Sequence, residues 1–278
     1  MHDWDDAFNN MGHVEGSDAL PGLWAGQAAA YRETVRVDTD LAYGPSVREK
    51  FDLIWPVDSP KGLVVFVHGG FWMRLDKSYW SHLAEGARAQ GWAVAIPSYT
   101  LTPEARISEI TKQIGTAIEA AASLVEGPIR LMGHSAGGHL VTRMTCDNTP
   151  LSGAILARIV HVLSISGLHD LRPLRHTAMN DTLHLTTKEA TAESPALLVP
   201  VPGSQISVCV GGGERPEFIR QARLLDIIWN GLDAKIELTI EGDHNHFTLL
   251  EGLKSPISQI CATLLKTKKQ FCPEKTLF

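Results

Sequence analysis

From residue 63 onward, short apolar runs alternate with longer amphipathic stretches. Leu63-Val64-Val65-Phe66-Val67, Ala93–Pro97, Ile129–Met132, Ile159–Ser166, Ile206–Val210 and Ile236–Ile240 are each too short for a helix and lack its period. They predict strands, most of them covered on both faces. Between them, Ser78–Gln90, Ile107–Val125, Pro216–Asn230 and Phe247–Leu265 are spaced for helices. The alternation predicts an α/β architecture: a mostly parallel central sheet flanked by helices on both faces.

The first part of the chain is less regular. Residues 1–20, with Gly, Asn and Asp, read as an irregular arm, and Trp24–Tyr31 predicts a short amphipathic helix; arm and helix occupy 1–34. Val35-Arg36-Val37 and Phe51–Trp55 predict early strands, with a turn at Tyr43-Gly44-Pro45 between them and Pro56 ending the second. Residues 168–203, rich in Leu, Pro, Thr and His, interrupt the rhythm between two core strands, the place of a small cap or lid insertion. No linker, repeat or low-complexity tract divides the chain, so 1–278 is expected to be a single domain.

Composition narrows the function classes. At 278 residues, 44% hydrophobic and 20% charged, the chain can bury a full core. A formal net charge of -6 offers no electrostatic basis for binding nucleic acid or an anionic membrane. The acidic start Met1–Asp6 lacks the basic and apolar regions of a secretory signal, and no apolar run reaches membrane-spanning length; a cytoplasmic location is expected. Four cysteines form no CxxC pair, and Cys146, Cys209 and Cys261 sit in apolar contexts as small core residues.

The chemistry begins at Gly133-His134-Ser135-Ala136-Gly137, between an apolar run and the helix-like Gly138–Met144. A strand, a tight turn carrying one serine and then a helix is the geometry of a nucleophile elbow. A Cβ at either flanking glycine would collide with the neighbouring strand or helix. Serine needs a base, and the base an orienting acid, in the chain order Ser, acid, His. Glu214 is the first carboxylate past Ile206–Val210, after three glycines. Glu217 falls in the first turn of the following helix, where it serves the helix dipole, and Asp170 comes from an earlier strand end. His246 precedes the final helix and is preferred as the base over His244, which reads as a loop residue. The His-x-His spacing has no third ligand beside it, so neither metal nor cofactor is expected. An oxyanion hole requires the N–H of Ala136 and donors from His68-Gly69-Gly70-Phe71-Trp72, where Gly70 and Phe71 are the candidates. His68, Trp72 and Tyr99 are expected near the substrate.

The loop His68–Trp72, an HGGxW sequence, and Gly133–Leu140 together resemble the α/β-hydrolase superfamily and, within it, the arylformamidase (kynurenine formamidase)-like esterases. Glu214-Arg215-Pro216-Glu217-Phe218, Arg220-Gln221 and His246-Phe247 extend the likeness over nearly the whole chain. The resemblance implies Ser135 as nucleophile, His246 as base and Glu214 as acid. Glu214 stands where the animal formamidases usually carry Asp. The implied substrate is a small aryl-formamide or ester of the N-formylkynurenine type, with a homodimer compatible with the chain. Two alternatives accompany it: a short-chain carboxylesterase or thioesterase, and a non-catalytic binding protein on the same fold.

Overall fold

The computed structural model describes residues 3–266; Cys272 lies outside them. Eight strands form one sheet: β1 Val37–Ala42, β2 Lys50–Ile54, β3 Leu63–Val67, β4 Ala93–Pro97, β5 Ile129–His134, β6 Ile159–Ile165, β7 Gln205–Gly211 and β8 Lys235–Glu241. Their order is β1-β2-β4-β3-β5-β6-β7-β8. β2 runs antiparallel to β1 and β4, and the remaining pairs are parallel. Every residue of β3, β4 and β5 is buried, which explains why these strands read as unbroken apolar runs. The α/β architecture foreseen from the alternation is the one adopted.

The two-residue period of the strands divides the interior into two cores. Leu63, Val65 and Val67, with Ala93 and Ala95, face the long helix Ile107–Leu124 and the helix Pro216–Asn230. Val64, Phe66, Val94 and Ile96 face the opposite way, toward Trp24, Trp80, Leu83 and Leu249. Crossovers between parallel strands place helices on both faces. The loops at the strands' C-terminal ends, where the chemistry is expected, lie along one edge of the sheet.

Four elements differ from the expected pattern. β1 starts at Val37 and continues through Asp-Thr-Asp, because an edge strand with one wet face needs few apolar residues. The stretch 78–90 is two 3₁₀ turns, Lys77–Tyr79 and Ser81–Ala84, then the short helix Glu85–Ala89. Trp80 leaves the helical region at φ -125° and its indole packs on Trp24. The closing segment is a 3₁₀ run, Thr248–Lys254, and a separate helix, Gln259–Leu265, capped by Ser258; Pro256 lies in the break. The arm is not irregular: it contains a turn of helix at Trp4–Ala7 and 3₁₀ turns at Met11–His13 and Ser17–Ala19. Among the described residues no helix is long and apolar enough to cross a membrane. Cys146, Cys209 and Cys261 are buried and unpaired.

Candidate active site

Ser135 ends β5 and begins the helix Ala136–Arg143 at φ 55°, ψ -118°. That conformation is costly for a residue with a Cβ and persists only where its surroundings hold it. Its N–H donates to Ile165 O at 2.8 Å. The elbow helix passes so close to β3 that a Cβ on Gly137 would lie 1.9 Å from Val67 O. Glycine there is a requirement of packing.

The loops after β7 and β8 bring Glu214 and His246 together. His246 Nδ1–H donates to Glu214 Oε2 at 2.6 Å, which leaves Nε2 as the ring's free basic nitrogen. Ser166 Oγ, at 2.5 Å, and Gly211 N, at 2.8 Å, donate to Glu214 Oε1. Burial by itself would raise the Glu214 carboxyl; the His246 ring, Ser166 and the Gly211 N–H outweigh it, and the group stays below its ordinary value. The other carboxylate candidates are engaged elsewhere. Asp170 pairs with Arg172 and Arg220, and Glu217 with Arg220 and Gln221. His244 is turned to Thr248 Oγ1 at 3.3 Å. Among the described residues no group of three or more His, Cys, Asp or Glu is arranged to hold a metal ion.

His134, beside Ser135, also bears on the base. Its Nε2–H donates to the His246 carbonyl at 2.9 Å, and the two rings lie 4.5 Å apart. Burial, then the neighbouring His246, drive its pKa well below the ordinary histidine range. A neutral His134 therefore anchors the His246 loop without competing for the proton.

Ser135, His134 and His246 open onto a cavity of about 410 Å³. The loop after β3 forms one wall. Gly70 sits at φ 109°, Phe71 at φ 52° and Trp72 at φ 58°, and Gly70 O accepts from the N–H groups of Met73 and Arg74. Among the described residues nothing accepts the N–H of Gly70 or Phe71. Phe71 lines the cavity, whereas His68, Trp72 and Tyr99 are fully buried behind it. The positive φ at Trp72 turns its indole inward, edge-on to His139, and His68 stacks on Tyr99 at 4.4 Å. None of these three, expected near the substrate, lines the cavity. The opposite wall comes from the arm, including Phe8, Asn10 and Met11; from 168–203 it receives Met179. Phe8 packs edge-on against Phe218, and Phe218 against His246.

Asn10 and Ser166 carry no sequence signal for their place beside Glu214. Ser166 is one of several strand-end residues. Asn10 lies 204 positions from its partner.

The model of the α/β hydrolase fold family matches residues 64–203. Kynurenine formamidase of Danio rerio is 27% identical over 247 residues, 84% of this chain and 83% of that protein. The Salmo salar enzyme is 28% identical over 82% of this chain and 80% of its own length. A crystal structure of a provisionally assigned thioesterase from Silicibacter sp. tm1040 superposes with a TM-score of 0.90 at 46% identity, covering 96% of this chain and all of that one. Esterase B of Lactobacillus rhamnosis shares the fold at TM-score 0.69 and 18% identity, over 94% of this chain and 95% of its own. The chain belongs to the α/β-hydrolase fold family. Within it, this is a hydrolase related to kynurenine formamidases and esterases.

Proposed function

We propose that the chain cleaves a small aryl-formamide, of the N-formylkynurenine type, through an acyl-enzyme on Ser135. The observation that carries the reading is the 2.6 Å bond from His246 Nδ1 to the buried Glu214, at the edge of the cavity that also holds the strained Ser135. In this reading Glu214 fixes the tautomer of His246 and stabilises the imidazolium. His246 Nε2 takes the Ser135 proton as Oγ attacks the carbonyl carbon. The N–H groups of Gly70, Phe71 and Ala136 receive the oxyanion, already oriented and with no competing partner at Gly70 and Phe71. His246 then protonates the leaving amine. A water, deprotonated by the same ring, attacks the formyl-enzyme, releases formate and restores Ser135.

The cavity wall supports an aromatic leaving group. Phe8, Trp24, Phe71, Trp80 and Phe247 supply flat apolar surface, while the exposed Arg74 and Asp18 offer charges for a carboxylate and an ammonium. About 410 Å³ suits one ring with a short tail. The 46%-identical relative described as a thioesterase favours a second reading, hydrolysis of a short acyl thioester or ester by the same residues. Values of kcat/KM measured side by side on N-formylkynurenine, 4-nitrophenyl acetate and a short acyl thioester decide between them. Turnover by Ser135→Ala equal to the parent's would sink both.

A further inference from the structure

The arm reaches the acid itself. Asn10 is 6% exposed, and its Nδ2 donates to Glu214 Oε2 at 3.3 Å, the same oxygen that accepts the hydrogen bond from His246 Nδ1–H. The orientation of this amide follows from its other partner. Arg215 N–H, an obligate donor, bonds Asn10 Oδ1 at 2.9 Å, so the NH₂ group must face the carboxylate. Glu214 thereby receives four donors, two on each oxygen: Ser166 and Gly211 on Oε1, His246 and Asn10 on Oε2. Three come from the sheet edge. The fourth comes from the start of the chain.

The arm is held in place by contacts of its own. Asp6 pairs with Arg215, whose Nε also donates to Asp6 O at 3.2 Å. Asp5 accepts the N–H of Ala178 at 2.7 Å. Trp4 stacks on His176, and Phe8 packs against Phe218. The anchors fall on two segments, 176–178 and 215–218, so the arm is strapped across the cavity with Asn10 as its inner contact.

We propose that Asn10 is a positioning residue for the Glu214–His246 pair, and that docking of the arm completes both the catalytic relay and the substrate cavity. The proposal rests on the Ser135–His246–Glu214 reading above. Glu214 is charged and buried, so its rotamer depends on how many donors grip it. Without Asn10, Oε2 keeps one fixed donor, and the carboxylate can rotate away from the line along which it holds the His246 ring. The donor also tempers the basicity of Glu214. Replacing it with an acid puts two carboxyl groups side by side in a buried site, where they share a proton instead of ionising together. None of the titratable groups around the pair replaces this donor. His134 is held neutral by burial, burial pushes the Cys209 thiol up to about 12, and Asp6 is paired with Arg215.

The test uses the full chain with 4-nitrophenyl acetate, in Asn10→Ala, Asn10→Asp and the pair Asn10→Ala and Glu214→Gln, alone and combined. We expect Asn10→Ala to lower kcat roughly tenfold, with KM within about twofold of the parent. Asn10→Asp keeps an acceptor for Arg215 N–H and, while it shares a proton with Glu214, a donor to Oε2, so its kcat should lie between those of Asn10→Ala and the parent. In the Glu214→Gln background, Asn10→Ala should cost little more, because its effect passes through that carboxylate. An undiminished cost there, or a loss in Asn10→Ala carried by KM instead of kcat, overturns the proposal. Ser135→Ala is assayed beside them. Retained turnover in that variant overturns the triad reading itself, a separate outcome from failure at Asn10.

Discussion

Lowering the pH should unfold this protein well before its carboxylates titrate, and buried histidines are the cause. His68, His139 and His169 are completely buried. Each uses one ring nitrogen: His68 Nδ1–H donates to Gly69 O, His139 Nε2–H to Glu193 O, and His169 Nε2 meets Ser164 Oγ. The second nitrogen of each ring is buried without a partner. Protonation would create a buried charge and an unmatched N–H together. Burial accordingly lowers the pKa of His68 to about 4 and those of His139 and His169 to about 3, from 6.5. The sign follows. Between the native and unfolded values the unfolded chain binds more protons, so stability is full above pH 6.5 and falls as the pH drops toward 4. All three native values lie well below 5.5, so the loss down to that pH depends on the unfolded value alone. Burial lowers the pKa values of His82, His134 and His161 in the same way. Each of the six rings loses about 1.3 kcal/mol between pH 7 and 5.5, about 7–8 kcal/mol together, against about 5–15 kcal/mol for a typical domain. Glu214, with its lowered pKa, adds a further loss only below 4.5. Urea unfolding followed at pH 7, 6.5, 6 and 5.5 measures the effect. His169→Gln should reduce the slope by about one sixth. Equal unfolding free energies at pH 7 and 5.5 would show that these rings are protonated in the native state, and the argument would fail.

Three further outcomes follow from particular contacts. Gly137→Ala puts a methyl group 1.9 Å from Val67 O; thermal unfolding should show a loss of more than about 3 kcal/mol, or no soluble protein. Glu214→Gln keeps the shape but leaves His246 without its anionic partner, and kcat should fall by about 10³-fold or more in steady-state assays. Arg74→Ala removes an exposed charge from the cavity wall; KM for N-formylkynurenine should rise several-fold while KM for a neutral ester stays the same, and equal changes for both would refute a carboxylate contact.

Sequence reasoning reached furthest where structure is local. The Gly133–Gly137 turn, the glycine loop after β3 and the carboxylate after β7 each depend on a few adjacent residues, and strand-end order aligned them. Helix continuity was harder to read. Trp80 and Pro256 break segments whose apolar spacing looks helical, one through a tertiary packing demand and the other through a missing N–H. The orientation of side chains in a loop was not legible either: nothing local says that Trp72 adopts positive φ and turns away from the cavity. Asn10 was the least accessible, since its role exists only once its distant partner is in place.

That distance has a consequence for how the protein is made. Residue 10 leaves the ribosome 204 positions ahead of Glu214, roughly 10–40 s earlier at about 5–20 residues per second. Through that interval the arm has no carboxylate to grip, and Phe8 has no Phe218 to cover it. The serine turn can form once β5 and β6 pair, but a nascent chain at that stage has neither acid nor base. On the proposed reading, hydrolytic competence therefore arrives late, once residues 214–246 have joined the earlier turn, and until then the aromatic arm stays uncovered.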